Sequence, residues 1–191
     1  DVCQPAIVAV SLAIWEAAKR THADLTVPSP AFCGGLSLGE YTALVAAGAL
    51  DGPDAVALVR KRGRFMQEAC DANPGSMFSV IGLEDAQVEE ACAQVEGDVW
   101  PANYNSPGQV VVSGRPEPTA EAAELCKDRG AKMVVELNVA GAFHTPLMEP
   151  AAEDNNSGRS PAPCDVMLAP VADLTPISAR GPPTAVAGEQ V

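Results

Sequence analysis

Apolar positions follow two different rhythms along this chain. From Gln4 to Arg20, Ile7, Val8, Val10, Leu12, Ala13, Ile14 and Trp15 form a broad apolar face closed by Glu16, Lys19 and Arg20, which predicts a mostly buried helix. Thr21 to Ser29 is a connector, where Pro28 and Pro30 limit helix and His22 is expected in solvent. Ala31-Phe32-Cys33 is a short apolar run, and beyond it Leu38, Tyr41, Leu44 and Val45 recur at helical spacing. The stretch therefore reads as strand, sharp turn, helix, ending near Gly48. Asp51-Gly52-Pro53-Asp54 opens another helix, because proline suits a first turn. Val56, Leu58, Val59, Phe65 and Met66 carry it to about Cys70, and Asn73-Pro74-Gly75 ends it in a turn.

From Ser76 the rhythm shortens. Met77 to Ile81 reads as a strand, Glu84 to Gln94 as a helix and Val99 to Tyr104 as a strand. A turn at Asn105-Ser106-Pro107-Gly108 leads to a strand from Gln109 to Ser113, a helix from Pro116 to Arg129 and a strand from Lys132 to Leu137. The order β-α-β-β-α-β is the ferredoxin-like split pattern and predicts a small subdomain over residues 75–138. The alternative is that these elements extend a larger sheet. Beyond Glu153 the chain turns polar and proline-rich, with Val166 to Val171 as a candidate strand and the rest read as loop or tail.

Composition narrows the classes. A chain of 191 residues, 47% hydrophobic but only 4% aromatic, predicts a core of small side chains. A net charge of −13 argues against nucleic acid as the main partner. Six scattered cysteines, without a Cys-x-x-Cys pair or a nearby histidine, indicate neither zinc nor a disulfide framework, and fit reduced thiols in a cytoplasm. No apolar run approaches the roughly 18 residues of a membrane span. No signal peptide is expected, and the start at Asp1 without an initiator Met reads as a fragment.

The chemistry concentrates in Gly35-Leu36-Ser37-Leu38-Gly39, a Gly-x-Ser-x-Gly between a strand and a helix. That context makes Ser37 a nucleophile-elbow candidate. Glycines on both sides would let backbone segments approach closely, and a helix amino end would stabilise a developing oxyanion. The bland alternative is a glycine-rich turn with a solvent-facing serine. An alcohol nucleophile needs a base, and the chain has only two histidines. His144 follows a strand in an apolar stretch, so a Ser37–His144 pair would support acyl transfer through an acyl-enzyme. No third acid is evident, and a backbone carbonyl could orient His144 instead. Four of the twelve basic residues cluster at Arg60, Lys61, Arg62 and Arg64. A solvated charge run is the simpler reading for all four, while Arg62 beside Gly63 could face a cleft and bind a carboxylate bidentately.

Together, Gly35-Leu36-Ser37-Leu38-Gly39-Glu40-Tyr41, Lys61-Arg62-Gly63-Arg64-Phe65-Met66-Gln67, Asn103-Tyr104-Asn105-Ser106-Pro107-Gly108-Gln109-Val110-Val111 and Gly141-Ala142-Phe143-His144-Thr145-Pro146-Leu147-Met148 resemble the malonyl-CoA:acyl carrier protein transacylases and related acyltransferase domains of fatty acid and polyketide synthesis. The resemblance covers about residues 4–152. It implies an α/β fold: a hydrolase-like core with a parallel sheet and nucleophile elbow (residues 1–74 and 139–191), carrying the ferredoxin-like insert (residues 75–138). It implies a ping-pong reaction in which malonyl moves from malonyl-CoA to Ser37 and then to the phosphopantetheine thiol of acyl carrier protein. His144 would be the general base, the Leu38 backbone N–H part of the oxyanion hole, Arg62 the carboxylate ligand, and Phe143 a ring that disfavours an α-methyl branch.

No metal or organic cofactor is implied beyond the coenzyme A thioester of the substrate. The expected protein is a cytoplasmic monomer with neither nucleic acid nor membrane as partner. Leu36 replaces the histidine usual before the nucleophile, and the family's amino-terminal Gly-Gln-Gly loop is not found in this sequence. Because acyl carrier proteins are acidic, docking would need a local basic patch, for which Arg129 and Lys132, or the cluster near Arg62, are candidates. A serine esterase or thioesterase, and a non-catalytic carrier-protein-binding remnant, are the alternatives.

Overall fold

The computed structural model describes residues 2–21, 30, 32–151 and 167–170. The chain divides into two compact units, Asp1–Arg60 with Asp165–Val191, and Lys61–Cys164.

In the first unit, helix α1 (Cys3–Thr21) packs with α2 (Leu38–Ala46) and the start of α3 (Gly52–Ala72). Val8, Ala55 and Val59 are fully buried at the centre, with Leu12, Leu38, Tyr41, Val45, Leu50 and Val56 packed around them. Each buried valine contributes about 1.5–3 kcal/mol of transfer free energy. The expected breadth of burial on α1 is corrected: Ile7, Val10 and Ile14 are 50%, 58% and 64% exposed. Among the described residues only one narrow stripe of α1, through Val8 and Leu12, meets neighbouring helices, so its wide apolar face outruns what packs on it. His22 lies outside the described residues.

Strand β1 (Phe32–Gly35) pairs antiparallel with β6 (Met167–Pro170), Phe32 opposite Pro170 and Gly35 opposite Met167. The strand expected at Val166 to Val171 is thus present. The pairing direction differs from the parallel sheet expected for the core. A parallel neighbour must be delivered by a long crossover connection, and among the described residues β6 is the strand paired with β1.

The second unit is built on β2 (Ser76–Ile81), α4 (Asp85–Gln94), β3 (Val99–Ser106), β4 (Gln109–Gly114), α5 (Pro116–Asp128) and β5 (Met133–Glu136). The sheet order is β3-β4-β2-β5, antiparallel throughout. Each helix therefore carries the chain over one intervening strand, which is the ferredoxin-like arrangement that the β-α-β-β-α-β order predicts. Period-two alternation sends Val80, Val110 and Val112 to one face, where Val88, Ala91, Cys92, Ala122 and Cys126 of the helices meet them. The core is made of small side chains, as composition predicts. Burial pushes the Cys92 thiol up to about 12, with the neighbouring Cys126 adding to the shift. These cysteines pack as small apolar residues.

Arg129 does not offer its charge outward. Its Nη1 donates to the Gln87 carbonyl at 2.7 Å and reaches Glu90 at 3.4 Å, tying the end of α5 to α4. Lys132 lays its stem against Gly82, where a Cβ would stand 2.6 Å from the lysine Cγ.

Candidate functional site

The turn between β1 and α2 is strained at one residue. Ser37 has φ 55 and ψ −113, and α2 starts immediately after it. Such a backbone costs a non-glycine residue about 1–3 kcal/mol, and it persists where the surroundings over-determine it. Here the Gly39 N–H donates to the Leu36 carbonyl at 2.9 Å and the Glu40 N–H to the Ser37 carbonyl at 3.3 Å, closing the turn around the serine. The Ser37 side chain makes no capping hydrogen bond to α2. Leu38 is the first residue of that helix, where backbone N–H groups have no acceptor within the helix.

The two glycines of the motif have different reasons. A Cβ on Gly35 would overlap the Gly39 carbonyl group and lie 2.6 Å from the Glu40 nitrogen, so the turn closes only with glycine there. A Cβ on Gly39 would meet nothing within 4 Å, which corrects the expectation that both glycines are needed for close approach. Gly35→Ala is expected to destabilise the chain by about 3 kcal/mol, since backbone must move to admit the methyl group. Gly39→Ala is expected to be neutral or stabilising by up to about 1 kcal/mol, through helix propensity. Urea titration of the two variants checks this pair, and equal stability losses would remove the distinction.

In the second unit, α3 and the loop after β5 carry the other candidate residues. Arg60, Lys61 and Arg64 are exposed, whereas Arg62 is half-buried. Arg64 pairs with Glu68 at 3.5 Å and lies over the Phe65 ring at 5.0 Å. Helical geometry thus separates Arg62 from a run that is otherwise solvated, a separation that adjacent basic letters could not reveal. Phe143 and His144 are half-buried, next to a fully buried Ala142.

His144 has φ 60, and it and Ser37 are the two non-glycine residues with positive φ among the described residues. Close packing holds the loop on both sides. A Cβ on Gly141 would come 2.5 Å from the Cys70 Sγ of α3, and one on Gly75 would come 2.5 Å from the Ala142 Cβ. Asn73 Nδ2 donates to the Leu147 carbonyl at 3.3 Å, and the Thr145 hydroxyl donates to the Ala142 carbonyl at 2.7 Å. In the sequence, Asn73-Pro74-Gly75 signals only a helix stop. Its contribution to the histidine loop comes from a contact between residues 74 positions apart, which no local pattern signals.

Burial, and then the positive charge of Arg62, hold the His144 imidazole below its ordinary value of 6.5. Both causes disfavour the imidazolium, so at neutral pH His144 is uncharged and able to accept a proton. Ser37 and Leu38 belong to the first unit, and Arg62, Phe143 and His144 to the second. Among the described residues no group of three or more His, Cys, Asp or Glu side chains is placed to hold a metal ion. No helix among them is long and apolar enough to cross a membrane.

Residues 1–160 match the family described as acyl transferase domain. The malonyl CoA-acyl carrier protein transacylase of Salmonella typhimurium is 45% identical over 152 residues, covering 78% of this chain and 48% of that protein. An acyl carrier protein S-malonyltransferase of Vibrio cholerae, solved by crystallography, superposes with a TM-score of 0.71 at 45% identity, covering 80% of this chain and 49% of that one. A malonyl-transacylase solved in complex with a type II polyketide synthase acyl-carrier protein has a TM-score of 0.72 at 43% identity, covering 80% and 48%. The chain thus spans about half the length of the relatives it matches.

Proposed function

The chain belongs to the acyl transferase domain family, and on that premise we propose that it transfers a malonyl group from malonyl-CoA to the phosphopantetheine thiol of an acyl carrier protein, through a malonyl-serine at Ser37. One observation carries the reading: among the described residues, the two non-glycine residues held at positive φ are Ser37 and His144, the nucleophile and base that this chemistry requires.

In the first half-reaction, His144 accepts the Ser37 hydroxyl proton as the serine oxygen attacks the thioester carbonyl. The Leu38 N–H donates to the oxyanion. When the carbon–sulfur bond breaks, His144 returns the proton to the departing coenzyme A sulfur. The second half-reaction runs the same steps in reverse, with the carrier thiol as attacking group. Arg62 pairs with the malonyl carboxylate. Phe143 crowds the α-carbon, a discrimination of about 1–3 kcal/mol per methylene. No metal or organic cofactor takes part beyond the coenzyme A thioester of the substrate, and the reading places the protein in the cytoplasm as a monomer. Against the net charge of −13, exposed Arg60, Lys61 and Arg64 on α3 are the cations assigned to an acidic carrier.

The test is transfer itself. Incubation with malonyl-CoA is expected to add one malonyl mass to the chain, and holo acyl carrier protein is expected to remove it onto its own thiol. Discharge to water at the same rate without carrier would point to a hydrolase instead. Arg62→Ala is expected to slow malonyl loading by about 30- to 1,000-fold, from loss of a desolvated charge pair, while acetyl loading changes little. Equal losses for malonyl and acetyl would remove Arg62 from the carboxylate role.

A further inference from the structure

A histidine in the left-handed region needs surroundings that leave it no easier conformation. At His144 the chain enters through Ala142, which is fully buried, and leaves through Thr145, which is 9% exposed. The Thr145 hydroxyl donates to the Ala142 carbonyl at 2.7 Å. That bond closes a ring of backbone whose only intervening residues are Phe143 and His144. The far side is anchored too, because the Met148 N–H donates to the Thr145 carbonyl at 3.0 Å, starting the 3₁₀ turn Pro146–Met148. Asn73 then holds the Leu147 carbonyl at 3.3 Å from the end of α3. Without the Thr145 hydroxyl, the Ala142 carbonyl would lose this partner inside a buried segment, and the loop would gain by opening to find another.

We infer that Thr145 is the positioning residue for His144: its hydroxyl clasps the loop that holds the imidazole at positive φ, and Asn73 supports the clasp from α3. The inference rests on the acyl-transfer reading for its catalytic consequence, though not for its structural content. Neither residue touches substrate in this scheme. Both act through the placement of His144.

The test uses the 191-residue chain, whose two histidines make imidazole NMR titration simple, with His144→Gln assigning the resonance. In the unmutated chain the His144 resonance is expected to titrate below 6.5, because the ring is buried and faces Arg62. Thr145→Val keeps the shape of the side chain and removes the donor. It is expected to move that titration upward toward the ordinary value, and to slow Ser37 acylation by about 10- to 100-fold, as misplacement of a catalytic group does, with KM unchanged. Thr145→Ser, which retains a hydroxyl, is expected to restore both. Should Thr145→Val fail to fold, Asn73→Ala, at the longer bond, is expected to give a smaller shift in the same direction.

A His144 titration unchanged in Thr145→Val, or in Asn73→Ala where only that variant folds, would overturn the inference. So would a Thr145→Ser variant as impaired as Thr145→Val. Failure of the acyl-transfer reading is separately visible: the unmutated chain would then gain no malonyl mass from malonyl-CoA, whatever the titration of His144 does in the Thr145 variants.

Discussion

Ser37→Ala is expected to abolish the covalent adduct with malonyl-CoA, lowering acylation by about 10⁶-fold, the scale on which loss of a serine nucleophile acts. The size follows from the chemistry, because no other atom of the chain is offered as the acyl acceptor in this scheme. The variant should remain folded. The hydroxyl makes no capping bond to α2, so its removal takes no support from the helix. Alanine inherits the same strained φ of 55, and the two residues differ little in their tolerance of it. Intact mass after brief incubation reads the outcome, with circular dichroism confirming the fold. A malonyl-sized gain that survives in Ser37→Ala would show that the label sits elsewhere, and the elbow would then be only a turn.

His144→Ala is expected to slow acylation of Ser37 by about 10³-fold, within the 10²–10⁴-fold that a positioned general base supplies. The pH dependence makes the assignment specific. The acting form is the neutral imidazole. Burial and Arg62 both oppose its protonation, so the unmutated rate should rise with pH through a value below 6.5 and be flat at neutrality. That acid limb should vanish in His144→Ala. In Arg62→Ala the limb should move upward, since one of the two causes of the shift is gone. Stability carries the same sign. As pH falls below 6.5 the unfolded chain protonates this histidine before the folded one does, so folding weakens toward acid. A rate profile with its acid limb intact in His144→Ala would assign the titrating group to another residue.

Much of this was legible without coordinates. The 3.6-residue rhythm gave α1 to α3 to within about two residues, and the change of rhythm after Gly75 marked the β-α-β-β-α-β insert. Gly-x-Ser-x-Gly between a strand and a helix marked the elbow, and the strained backbone of Ser37 is the physical form of that pattern. These are local matters. Side-chain periodicity and glycine placement are written in consecutive letters, and the elements they specify span few residues.

What consecutive letters do not carry is which faces meet. The apolar face of α1 looked sufficient for burial, yet among the described residues packing covers only a stripe of it. Periodicity and spacing left a solvated charge run as the simpler reading for Arg62 as for its basic neighbours, and it is the helix that turns Arg62 away from solvent and toward His144. Gly35 and Gly39 looked equivalent until the backbone that each would meet was known. The sequence by itself determined the elements, the elbow and the candidate pair of serine and histidine. Tertiary structure decided the left-handed backbone of His144, the Asn73 and Thr145 bonds that frame it, and the depressed basicity of its ring. The Asn73 bond and the Arg62 effect join groups brought together across the fold, while the Thr145 bond spans three residues inside a segment that the fold buries; burial and Coulomb interactions act through space rather than along the chain.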